Sequence, residues 1–310
     1  MPHMNSLEDV RPVDASTLVD AALAHARGEG KDRSGWLTTG LEDIDSRCGG
    51  LAPGALIVIG SRPGMGKAAL GRTIAAHLIV SDSPSGVLMH VPAEGTHSIV
   101  LDFLASIANV SRSRLRAGTL DVKDEPNVSA AAEQLRQAGN LLFADAHEYS
   151  VASLRKQAMD MRERGASLRL IIVERVDQML VAEDHHERER EMAGVVRELK
   201  QLALDLHLPV IALLSVNPDA DERMPPRPRI HDFTAAASVE RHADMVVFVY
   251  RPDYYLQEET PVEWQGKAEV IISSFKQGQP GSTILGYLAP YGKFVNLKPS
   301  RRSTARQDRG

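Results

Sequence analysis

Ala55-Leu56-Ile57-Val58-Ile59-Gly60 is a short apolar run, and it leads into Ser61-Arg62-Pro63-Gly64-Met65-Gly66-Lys67-Ala68. Two glycines and a lysine closing a turn between a buried strand and a helix start suit one kind of chemistry. The backbone N–H groups of such a loop converge on an anion, and the lysine reaches the β- and γ-oxygens of a polyphosphate. Against the pattern G-x4-G-K-[ST], Ser61 stands at the first glycine, which the turn tolerates. Ala68 stands where a hydroxyl should ligate Mg2+. Ser61, Arg62, Pro63, Gly64, Met65, Gly66, Lys67 and Ala68 are therefore the expected nucleotide-binding residues. ATP or ADP is the expected ligand, with Mg2+ held weakly for want of the hydroxyl. A lysine that meets no ligand is the alternative these residues leave open.

The surrounding chain reads as the scaffold such a loop needs. Strand candidates are Ala55–Gly60, Gly86–Val91, Asn140–Ala144, Leu168–Val173, Pro209–Leu214, Met245–Tyr250 and Ala268–Ser273, short and rich in Val, Ile and Leu as strands buried on both faces are. Helical stretches lie between them. In 186–207, Met192, Val195, Val196, Leu199, Leu202, Ala203 and Leu206 recur at steps of three and four. The alternation predicts an α/β domain with a mainly parallel, twisted sheet and helices on both faces. Beyond Gly278, Thr283–Leu288 and Lys293–Leu297 predict an antiparallel C-terminal edge.

Composition narrows the class further. Of 310 residues, 43% are apolar and 25% charged, which excludes a mainly disordered chain. Cys48 is the only cysteine, so neither an intrachain disulfide nor a cysteine-built metal site is available, as suits a reducing cytoplasm. No apolar run is long enough to span a membrane. The net charge of −5 argues against a generally basic surface. Residues 1–13 read as a disordered N-terminus, 14–35 as a short amphipathic helix with its linker, and 298–310 as a basic disordered tail. Such a helix is too short to stand alone and must dock on this chain or a neighbour.

Further motifs give these elements a likeness. Thr39-Gly40-Leu41-Glu42-Asp43-Ile44-Asp45, Gly49-Gly50-Leu51-Ala52-Pro53-Gly54 and the loop at Ser61–Lys67 resemble the RecA-like C-terminal domain of DnaB-type hexameric replicative helicases. Arg227-Pro228-Arg229-Ile230-His231-Asp232-Phe233 and Val239-Glu240-Arg241-His242-Ala243-Asp244 resemble it more distinctively. The similarity runs from about Trp36 to Leu297. It implies a RecA-like P-loop domain over 36–297, a ring (expected as a hexamer) or filament of identical copies, and bacterial or mobile-element DNA replication as the setting. The helix in 14–35 stands where the family has a linker helix that docks on the adjacent subunit. Residues 1–35 hold no counterpart of the family's primase-binding N-terminal domain.

The same resemblance, taken residue by residue, removes catalytic groups. Where the family's glutamate activates water, this chain has Ala93, with Glu94 one place on and facing the other way on extended backbone. The aspartate that holds Mg2+ through water becomes Glu174, and the γ-phosphate sensor becomes Ser215. The arginine finger supplied to the neighbouring site becomes Lys276, which lacks the two-pronged geometry of arginine. Around the expected DNA loop, Ala235-Ala236-Ala237 replace polar residues, so single-stranded DNA is expected to be held weakly at best. Arg251 and Tyr255, following a strand end, are candidates to flank a nucleotide base. His185-His186 reads as a solvated helix start, because neighbouring helical positions point apart. These residues predict a cytoplasmic, ring- or filament-forming protein that binds ATP or ADP and hydrolyses it weakly or not at all. Two alternatives stand beside that: an active ATP-dependent DNA helicase using Glu94 and Lys276, and a scaffold or regulator that binds an unknown protein partner and no nucleotide.

Overall fold

The computed structural model describes residues 15, 16, 19, 23, 33, 35–81, 85–92, 95–138, 141–146, 149–180 and 184–297. Two units divide at Gly35. In the first, Ala15, Ser16, Val19 and Leu23 are helical and exposed. The other residues of that helix, and the expected disordered ends at 1–13 and 298–310, lie outside the described residues.

The second unit carries a nine-stranded sheet. In chain order its elements are α1 (Glu42–Cys48), β1 (Leu56–Ser61), α2 (Lys67–Val80), β2 (Gly86–Pro92), α3 (Thr96–Ala108), α4 (Arg112–Ala117), α5 (Glu125–Ala138), β3 (Leu141–Ala146), α6 (Val151–Glu163), β4 (Leu168–Val173), α7 (His185–Leu206), β5 (Val210–Ser215), α8 (Ala236–His242), β6 (Met245–Tyr250), α9 (Pro252–Leu256), β7 (Lys267–Phe275), β8 (Gly281–Leu288) and β9 (Lys293–Val295). Strand order is β3-β2-β4-β5-β1-β6-β7-β8-β9. The first six strands are parallel, and β7, β8 and β9 pair antiparallel. The antiparallel edge thus begins one strand earlier than the change in sequence pattern after Gly278.

Alternation along each strand divides the core between the two sheet faces. Ile57 and Ile59 of β1 pack with Leu70 and Ile74 of α2 and Phe103 of α3 on one face. Leu56 and Val58 pack with Leu154 of α6 and with Met192, Val196, Leu199 and Leu206 of α7 on the other. Asp184 caps α7, accepting from the His186 and Glu187 N–H groups, and His207 closes it in the left-handed region. Each apolar side chain buried along this helix contributes about 1.5–3 kcal/mol.

Gly60 shows how tightly the strand that feeds the loop is held. A Cβ there would lie 2.4 Å from Phe233 Cζ and 2.8 Å from Phe248 Cε1. Those two rings are buried and stacked on each other, 5.1 Å between centroids. Gly60→Ala is expected to destabilise the fold by about 1–3 kcal/mol, because neither ring has room to yield. The check is the urea midpoint, which should fall at unchanged slope.

Candidate nucleotide-phosphate site

The C-terminal ends of β1, β4 and β5 lie side by side, and that edge of the sheet gathers the candidate site. Register pairs Ser61 directly with Ser215. Gly64 and Gly66 carry φ of 81° and 108°, values a side chain would resist, so the loop turns back on itself and delivers α2. No side chain caps the first turn of α2. Its free N–H groups and the positive end of its dipole therefore face the loop, the arrangement that accepts an anion. Lys67 Nζ lies 3.3 Å from Ser215 Oγ. Burial pushes its ammonium below the usual lysine range, while the Asp177 and Glu174 carboxylates pull the other way. Arg62 borders an adjoining cleft of about 330 Å³ with Asp177, His185, Ser215 and Asn217.

Glu174 follows β4, and Arg72 of α2 reaches it. Arg72 Nε donates to Glu174 Oε1 at 2.9 Å and Nη2 to Oε2 at 2.8 Å. The third guanidinium nitrogen pairs with Asp102 of α3. Asp102 in turn accepts from Arg116 of α4 at 2.8 and 3.0 Å. The two carboxylates are almost fully buried, their side chains 6% and 4% exposed. Tyr149 donates to the Glu174 carbonyl and, at 3.2 Å, to that of His90. Sequence reading passed over Arg72 and Asp102. The available signal was a lone charge inside Ala68-Ala69-Leu70-Gly71-Arg72-Thr73-Ile74-Ala75-Ala76, a stretch otherwise built for the core.

The other candidates fall in several places. Arg251 donates to the Gly64 carbonyl at 3.2 Å, to Asp253 at 3.0 and 3.1 Å, and stacks 4.4 Å above the Tyr287 ring. Tyr255 turns away to donate to Asp221 at 2.6 Å, and Arg62 donates to the same carboxylate at 2.9 Å. Tyr254 lies against the loop instead, about 3 Å from where a Gly64 Cβ would stand, and Phe294 and Tyr287 border Gly66. Ala93 and Glu94 lie outside the described residues. Lys276 sits beyond β7, donating to the Arg241 carbonyl at 3.0 Å, with its N–H on the Asp244 carbonyl. Asp244 also accepts the Leu56 N–H, at the start of β1. Lys276 is therefore a strand length, about 20 Å, from the loop of its own chain.

Two clusters lie outside the loop. His185 and His186 do not diverge as neighbouring helical positions were expected to. Their rings make an edge contact at 5.9 Å, and with Glu189 they present donor atoms within 4.8 Å of one another, all exposed. Between α7 and α8, Arg190, Arg197, Arg241 and His242 line a cleft of about 390 Å³. Burial, then the positive charges of Arg241, Lys276 and Arg197, push His242 below the usual histidine range.

A parallel α/β sheet that ends its first strand in a glycine-rich loop, with a lysine opening the next helix, defines a RecA-like P-loop domain. The chain belongs to the family described as DnaB-like helicase C terminal domain, whose model matches residues 36–296. It is 30% identical over 268 residues to the replicative DNA helicase DnaB of Haemophilus influenzae, covering 86% of this chain and 56% of that one. With the Pasteurella multocida DnaB it shares 30% over 286 residues, 91% of this chain and 60% of the other. The chain thus spans somewhat over half the length of these relatives. Among solved structures, the ATPase domain of G40P superposes with a TM-score of 0.79 at 25% identity, over 92% of this chain and all of that one. A DnaB-like replicative helicase, solved with its interactions with primase, shares the fold at TM-score 0.80 and 23% identity, over 93% of this chain and 68% of that one. No helix among the described residues is long and apolar enough to cross a membrane.

P-loop ATPases generally hold Mg2+ beside the bound phosphates, and the residues present here do not fit that ion. Ala68 offers no oxygen, and both oxygens of Glu174 are engaged by Arg72. That leaves Asp177, whose Oδ1 is buried without a hydrogen bond among the described residues, as a single carboxylate beside Lys67. Mg2+ requires near-ideal octahedral oxygen ligation.

Proposed function

We propose that this chain is a DnaB-like P-loop protein that binds ATP or ADP through Ser61–Ala68, works as a ring or filament of copies in a DNA-linked process, and turns nucleotide over slowly or not at all. The observation that carries this reading is a phosphate loop that keeps its turn glycines and lysine beside a carboxylate already engaged. Lys67 and the uncapped first turn of α2 remain free to meet phosphate, whereas Glu174 is bound by Arg72.

Magnitudes favour binding over turnover. Replacing a positioned general base costs about 10²–10⁴-fold in rate. Replacing an arginine finger costs about 10³–10⁵-fold. The two effects need not multiply, but either brings a motor close to background. Lys276 cannot serve its own loop at about 20 Å, so its place in the fold fits a role toward a neighbouring copy, as a weaker stand-in for arginine. Val19 and Leu23, apolar and exposed on the helix of the first unit, support docking on another copy. For DNA, Arg190, Arg197 and Arg241 offer phosphate contacts that the alanine-rich segment before α8 does not.

The test is nucleotide binding and phosphate release by the full chain beside a Lys67→Ala control. Removing a charge-assisted contact worth about 1.5–3 kcal/mol should weaken ATP and ADP binding by about 10- to 100-fold. Phosphate release should be indistinguishable between the two proteins. Turnover stimulated by single-stranded DNA and abolished in the variant would establish the active helicase instead. Binding of neither nucleotide would leave the scaffold.

A further inference from the structure

Resting on the nucleotide-binding reading above, we infer that Arg72 fills the charge-balancing role at Glu174 that a divalent cation fills in other P-loop sites, so that this chain takes its nucleoside di- or triphosphate free of metal. The geometry is that of a site already closed. The guanidinium fork meets the carboxylate edge-on with two parallel bonds of 2.9 and 2.8 Å, one to each oxygen. This is the pairing that arginine makes and that a lysine or a hydrated ion does not reproduce. The remaining side of the guanidinium is taken by Asp102, and Asp102 is held from beyond by Arg116.

Charge accounting leads to the same place. Glu174 and Asp102 carry two negative charges, and Arg72 and Arg116 carry two positive ones, so the cluster is neutral before any ligand arrives. A cation entering it would have to displace a buried two-pronged pair, and Ala68 would give it no hydroxyl in return. The incoming phosphates meet Lys67, whose hydrogen-bond partner among the described residues is the Ser215 hydroxyl, and the uncapped first turn of α2. Those groups need no metal to accept an anion. Glu174, its charge balanced by Arg72, repels the anion little, and the Asp177 carboxylate is offset by Lys67 beside it.

The experiment is a titration of the full chain with ADP and with ATP, once in excess Mg2+ and once in excess EDTA. Dissociation constants agreeing within about threefold are expected. Weakening of tenfold or more in EDTA, with binding intact in Mg2+, overturns the inference and leaves the nucleotide-binding reading standing. Binding in neither condition overturns both. A second protein, Ala68→Thr with Arg72→Lys, restores the hydroxyl and keeps a cation that cannot grip both oxygens. It should bind nucleotide at least about tenfold more tightly with Mg2+ than with EDTA. If it folds, binds nucleotide and stays indifferent to the metal, Arg72 is not what keeps the ion out.

Discussion

Arg72→Ala should lower the free energy of unfolding by about 3–5 kcal/mol, the cost of leaving buried carboxylates without their partner. Glu174 would lose both of its side-chain hydrogen bonds, and Asp102 would keep only Arg116. Both acids are nearly sealed from water, so solvent cannot replace what is lost. The network also ties together α2, α3, α4 and the end of β4, elements that otherwise meet mainly through apolar contact. Arg116→Ala is the natural comparison. Its side chain is 48% exposed, and solvent screens its pair, so a loss of no more than about 1 kcal/mol is expected. Urea unfolding of the three proteins in parallel decides the matter. Equal losses in both variants would show that burial does not set the strength of this cluster.

The second large effect is a dependence on pH set by His90. This residue of β2 is wholly inaccessible to solvent, stacks on Tyr149 with centroids 4.5 Å apart, and has no hydrogen bond of normal geometry at either ring nitrogen among the described residues. Burial pushes its pKa down to about 4, with the Ser150 backbone pulling the other way. The folded chain therefore keeps His90 neutral, while the unfolded chain takes up a proton as pH falls below about 6.5. Between about pH 6.5 and 4 the unfolded state binds more protons, so stability falls with falling pH, by about 3 kcal/mol across the window. His90→Phe keeps a ring for Tyr149 and removes the titration. Between pH 7 and 5 the natural protein should lose about 2 kcal/mol more than the variant. Matching losses would clear His90. The carboxylates held below their ordinary range among the described residues, Asp205, Asp221 and Asp232, act in a lower window, as pH falls below about 4.

The sequence carried the framework in detail, and the reason is periodicity. Strands buried on both faces must be short and apolar, so Leu168–Val173 and Met245–Tyr250 were legible to the residue. The predicted helix over 186–207 stands one residue earlier, because Asp184 caps it. The phosphate loop was legible because glycine at positive φ and lysine at a helix start leave a local signature. What joins distant segments left none. Arg72, Asp102 and Glu174 meet only once α2, α3 and β4 pack, and no spacing along the chain announces it. Direction within a short helix was equally hidden. Tyr254 and Tyr255 are neighbours on α9, yet one lies against Gly64 and the other bonds Asp221.

The separation of Lys276 from the phosphate loop, by the full length of β1, makes the domain an arrow with unlike ends. In the ring or filament proposed above, the contact that carries Lys276 of one copy to Lys67 of the next is head-to-tail and joins two different surfaces. Repeated, it either closes into a ring or runs on in one direction. In an open run the terminal copies differ: one displays a loop that no neighbour completes, the other a lysine with no loop to meet. Growth and loss of copies would then proceed by different chemistry at the two tips.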